Sequence, residues 1–81
     1  MKPRKLELGD RNIIGKRVTE ARLAQRMKQV ELLAKLQLAR IDISVPALSL
    51  LEGQKRPVSD IELNALADIL NVSVDWLLGR E

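Results

Sequence analysis

Fourteen Lys/Arg side chains, four serines and a complete lack of His and Cys bound the chemistry open to this 81-residue chain. Without Cys or His there is no thiol nucleophile, no disulfide, no zinc site of the Cys/His kind and no imidazole acid–base pair. Ser44, Ser49, Ser59 and Ser73 have no partner base and read as helix caps or surface hydroxyls. There is no Gly-rich phosphate loop and no carboxylate pair with a partner base. No catalytic residue, metal or cofactor is expected, so the chain reads as a non-enzyme. The chemistry left is ionic. Residues 1–40 carry 11 Lys/Arg against 4 Asp/Glu, a net +7, whereas residues 41–81 carry 3 against 7, a net −4. Such asymmetry suits a molecule that meets a polyanion with one side. A solvated basic face accounts for it equally well.

The elements that must hold these cations are helical. The chain is 46% apolar, enough for one small core, with 15 Leu, a single aromatic residue (Trp76) and one Thr. Strand-rich domains lean on Val, Ile, Thr, Tyr and Phe, and here Tyr and Phe are absent. The expected fold is all-α, one compact five-helix bundle. Residues 1–12, with Lys2, Arg4, Lys5 and Arg11, read as a basic arm, and residues 13–79 as the folded domain. Helix one is predicted over 13–25, with Asn12 as its N-cap, and Arg26-Met27 as a tight break. Helix two follows over 28–39, with Leu32, Leu33 and Leu36 inward. Ile41-Asp42-Ile43 is an extended link. Ser44 caps helix three, Pro46 sits harmlessly in its first turn, and Gly53 stops it near Glu52. Ser59 and Glu62 form a capping box for helix four, over 59–70, and Asn71 suits a left-handed ending. Ser73 caps a short fifth helix ended by Gly79. The N-terminus shows no signal-peptide run and no stretch is long enough to span a membrane, so a soluble cytoplasmic protein is expected.

From Ile13 to Leu78 the chain resembles the phage-repressor-like helix-turn-helix domains, the Cro or xenobiotic-response-element type. The likeness is carried by Ile14-Gly15-Lys16-Arg17-Val18, Arg22, Gln29, Leu32 and Leu36. It continues through Ile43-Ser44, Leu48, Leu51-Glu52 and Lys55-Arg56-Pro57. The most specific portion is Leu66-Ala67, Leu70, Val72-Ser73 and Trp76-Leu77-Leu78. Three features depart from the common pattern: a longer stretch from helix two to helix three, Arg26 where Gly is usual, and Leu33 where Ala is usual.

The resemblance implies double-stranded DNA binding by a repressor-type transcriptional regulator, with helix three in the major groove. It places Ser44, Val45, Pro46, Ser49 and Leu50 toward the bases. It places Arg26, Lys28, Gln29, Gly53, Gln54, Lys55 and Arg56 against phosphates, whose grip is sequence-blind and weakened by salt. Arg22 and Glu52 become a structural ion pair. Half-sites one helical turn apart imply a homodimer, with Pro57, Val58, Val72 and Val74 as candidate contacts. Val, Pro and Leu cannot pair with base edges; they touch a thymine methyl or exclude water. A second reading therefore stands beside the first: a protein-interaction module whose exposed apolar residues, Val45, Pro46 and Leu50 with Leu23 and Val30, form the contact.

Overall fold

The computed structural model describes residues 11–81. Among these there are five helices and no strand: α1 Gly15–Ala24, α2 Gln29–Leu38, α3 Val45–Glu52, α4 Asp60–Leu70 and α5 Val74–Leu77. The arm expected over residues 1–12 lies outside the described residues except at its end, and there it needs correction. Asn12 is buried and Arg11 donates its backbone N–H to the Gln54 carbonyl at 3.1 Å, so both belong to the domain.

Local side-chain chemistry starts most of the helices. Ser44, Ser59 and Ser73 accept the N–H groups of Ala47, Glu62 and Trp76. Glu62 returns a bond to the Ser59 N–H at 2.9 Å, completing the capping box. Glu31 does the same for the Lys28 N–H at 2.7 Å. α1 starts two residues later than periodicity predicts, with Ile14 rather than Asn12 at the N-cap position; Asn12 Oδ1 still accepts from the N–H groups of Ile14 and Gly15, at 3.0 and 2.8 Å.

All five helices end alike. The third residue past the helix body, or the second for α4, donates to a carbonyl five residues back: Met27 to Arg22, Ile41 to Leu36, Lys55 to Leu50, Val72 to Ala67 and Arg80 to Asp75. The residue before each donor is left-handed, namely Arg26, Arg40, Gln54, Asn71 and Gly79. This corrects the expected ending of α3. Gly53 has φ −83°, an ordinary value, and the left-handed residue is Gln54 at φ 63°.

Only one of these positions has the glycine that suits it. At Arg40, with φ 66°, a Cβ crowds the following carbonyl, at a cost of roughly 1–2 kcal/mol. Arg40→Gly relieves this and loses part of the gain to a freer unfolded chain. A net stabilisation of about 0.5–1 kcal/mol is expected in urea unfolding. A destabilised variant would show that the arginine side chain contributes more than its backbone strain costs.

The core lies where all five helices meet. Val18 of α1, Leu32 and Leu36 of α2, Leu48 and Leu51 of α3, Leu66 and Leu70 of α4, and Leu77 of α5 are fully buried. In the extended link Ile41 and Ile43 turn inward while Asp42 faces out, the alternation expected of extended backbone. Leu33 is only partly buried against the core, and Ile61 stands on the open side of α4. Trp76 is also half-buried; the Arg17 guanidinium lies over its ring at 4.5 Å, a contact from α1 to α5. Among the described residues no helix is long and apolar enough to cross a membrane.

Candidate nucleic-acid interface

What holds α3 in place is polar and comes from distant parts of the chain. Asn12 spends its whole amide there. Its Nδ2 donates to the carbonyls of Leu51, at 3.1 Å, and Arg56, at 2.8 Å, while Oδ1 caps α1. Its own carbonyl accepts from Gln54 Nε2 at 3.2 Å. One side chain thus joins the start of α1 to the end of α3 and the loop beyond. Asn and Asp are near-equal as N-caps, so Asn12→Asp isolates the two donations. It keeps the cap but aims an oxygen at two carbonyls. A loss of about 2–3 kcal/mol is expected in denaturant unfolding. A change below about 0.5 kcal/mol, the level of an ordinary surface substitution, would mean that those bonds contribute little.

Gly15 lets α1 approach closely. A Cβ there would meet the Leu51 carbonyl oxygen and lie 2.7 Å from the Glu52 carbonyl oxygen. Arg22 then forks onto Glu52, Nε to Oε2 at 2.8 Å and Nη2 to Oε1 at 3.1 Å. The side chains are 11% and 7% exposed. Arg22 Nη1 also holds the Met27 carbonyl at 2.8 Å, fixing the turn before α2. From Glu52 the network runs outward: Gln29 Nε2 donates to Oε1 at 3.0 Å, and Ser49 Oγ donates to Gln29 Oε1 at 3.3 Å. This chain ties the first turn of α2 alongside α3.

The outward stripe of α3 follows from helical spacing. Val45, Pro46, Ser49, Leu50 and Gly53 are exposed, with Val45 at 41% and Leu50 at 49%, and none is charged. Ser44, at the N-terminal edge, uses its oxygen as the cap of α3.

Of the seven residues assigned to phosphates, Arg26, Lys28 and Lys55 are exposed cations. Arg26 lies in the turn before α2 and Lys28 is the N-cap of α2, where first-turn N–H groups have no intrahelical acceptor. Glu31 shares that helix end, and its carboxylate opposes an incoming anion. Internal bonds engage several of the seven, Lys55 included. The Gln29 side chain belongs to the Glu52 network. The N–H groups of Gly53, Gln54 and Lys55 close the end of α3 on Ser49, Leu51 and Leu50. Arg56 faces Glu62 with its two guanidinium nitrogens at 3.3 and 3.4 Å. Sequence alone hides this last pair, because the two residues flank a loop whose course depends on where α4 packs.

Of the residues weighed for a dimer contact, Pro57 is exposed, while Val58, Val72 and Val74 are partly buried against the core. Among the described residues no group of three His, Cys, Asp or Glu side chains is placed to hold a metal. No family model, curated protein or solved structure matches this chain.

Proposed function

We propose that this chain is a double-stranded DNA-binding domain of the repressor-like helix-turn-helix type, acting as a small transcriptional regulator in the cytoplasm. In this reading α2 and α3 are the helix pair and α3 enters the major groove. One observation carries it: the Arg22–Glu52–Gln29–Ser49 chain locks the first turn of α2 beside an α3 whose outer stripe stands exposed. A helix fits the major groove only if its outer face is free and its neighbours can grip phosphate on either side. Arg26 and Lys28 supply cations on the α2 side, and Lys55 follows the far end of α3. A domain with so few cations gains affinity by pairing, so it acts as a homodimer on two half-sites.

The test is salt. With three exposed cations meeting phosphate, log affinity should fall by about 3 per decade of salt for each subunit, from roughly 0.9 per phosphate. Lys28→Ala should weaken binding to every duplex alike and flatten the slope by about 0.9. Fluorescence anisotropy on a labelled duplex at stepped salt measures both. A slope near zero, or no binding at low salt, refutes the proposal.

A second reading has an observation of its own. Leu23 and Val30 are 60% and 58% exposed, in addition to Val45 and Leu50. In that reading the chain is a protein-interaction module and these residues are its contact. Self-association lost in Leu50→Gln, with DNA affinity unchanged, would favour it.

A further inference from the structure

We propose that the exposed stripe of α3 reads pyrimidine C5-methyl groups in the major groove, on thymine or on 5-methylcytosine. The inference rests on the DNA-binding reading above and names what that surface recognises. Base edges in the major groove present acceptors, donors and one apolar feature, the C5-methyl. The Gln29 amide, which borders the stripe, is engaged at both its nitrogen and its oxygen. Gln29 donates to Glu52 and accepts from Ser49, so the Ser49 proton is taken as well. The Ser44 oxygen caps the helix with one lone pair, which leaves its proton and a second lone pair at the stripe's edge. No amide or guanidinium stands in the stripe to pair with a base through two bonds, and the two serine hydroxyls keep only part of their capacity.

What remains is apolar and stiff. Val45 is β-branched, Pro46 is a ring fixed in the first helical turn, and Leu50 lies one turn further on the same side. Such groups lose little freedom on contact and gain by removing a methyl from water. Against an unmethylated G·C pair they cover N7 and O6 acceptors without replacing their water, which opposes binding. The preference is thus built from both sides. The flanking cations match it: Lys28 adjoins Gln29, which touches Ser49, and the Lys55 N–H is bonded to the Leu50 carbonyl at 2.8 Å. Lys28 and Lys55 are both exposed beside residues bonded to the stripe, with Glu31 next to Lys28, and exposed cations at its ends suit a duplex better than an apolar protein face.

The experiment uses the full chain. A duplex is selected from a random-sequence pool, then rebuilt with deoxyuridine for each thymine, which removes the methyl and keeps every hydrogen-bonding group. A buried group of this size contributes about fourfold in affinity, so losing two or three should weaken binding about ten- to fiftyfold. A second rebuilt duplex replaces the critical T·A pairs with 5-methylcytosine·G. Recovery of affinity there shows that the methyl is read on either base; no recovery, with the uracil loss present, assigns the reading to thymine alone. Leu50→Gln changes an exposed side chain and should keep its unfolding midpoint while the thymine-to-uracil ratio falls toward one. Equal binding to the thymine and uracil duplexes, with salt-dependent affinity intact, overturns the methyl reading and leaves DNA binding standing. An unchanged ratio in Leu50→Gln also overturns it. No binding to any duplex at low salt overturns both.

Discussion

Glu52→Ala should destabilise the domain by about 3–5 kcal/mol, because it leaves the guanidinium of Arg22 enclosed without its counter-charge. Only 11% of that side chain is exposed, and two of its hydrogen bonds end on Glu52. Gln29 loses its acceptor in the same step, and with it the order of the Ser49 contact. For a domain of this size such a loss lowers Tm by about 12 °C or more. Removing both charges is a different matter. Taking two ions out of water offsets much of their attraction, so Arg22→Met with Glu52→Leu should recover most of the single-variant loss. It will not recover all of it, since Arg22 also holds the Met27 carbonyl. Thermal unfolding of Arg22→Met, of Glu52→Leu and of the double variant closes the cycle, with Glu52→Ala measured beside them. A loss below about 1 kcal/mol for Glu52→Ala, the range of exposed ion pairs, would mean that water reaches Arg22 readily. If α3 binds DNA, the same variant should lose affinity beyond its loss of folded protein, because the helix is no longer held against the start of α2.

Gly15→Ala should be destabilising by about 2–3 kcal/mol, against the direction helix propensity predicts. Alanine inside a helix is better than glycine by about 1 kcal/mol. Here the added methyl would be driven into two backbone carbonyls, those of Leu51 and Glu52, which end α3 and cannot turn aside as a side chain can. Relief requires α1 and α3 to separate, and separation stretches the Asn12 bonds and the Arg22–Glu52 fork together. Overpacking of this kind typically costs 1–3 kcal/mol before the lost bonds are counted. Gly53→Ala is the control. Its φ is ordinary and its nearest neighbour would lie at 3.3 Å, so it should stay within about 0.5 kcal/mol of the parent, as surface changes do. Chemical denaturation of both variants decides the matter. A stabilised Gly15→Ala would show that the crossing is looser than its carbonyl contacts indicate.

The all-helical class, the serine caps and the helix order were legible in the residues, because each depends on neighbours three or four positions apart. Ser59 reaches the N–H of Glu62 whatever the rest of the chain does. Leu48 and Leu51 share one face of α3 by spacing alone, and the exposed Val45 and Leu50 on the other side follow from the same period. Arg22 and Glu52 were paired by resemblance to a family, not by spacing; they stand 30 positions apart. Tertiary structure alone decided what crosses such distances. Asn12 was legible as a cap, yet its donations reach carbonyls 39 and 44 residues away. Gly15 looks like an ordinary helix residue until α3 is laid against it. Gln29, Gln54 and Arg56 have the side chains of surface contacts, but packing brings each within reach of an internal partner. A side chain's type sets which bonds it can form. Which partner takes them is set by where helices cross, and crossings depend on the fit of many side chains at once, which no local spacing records.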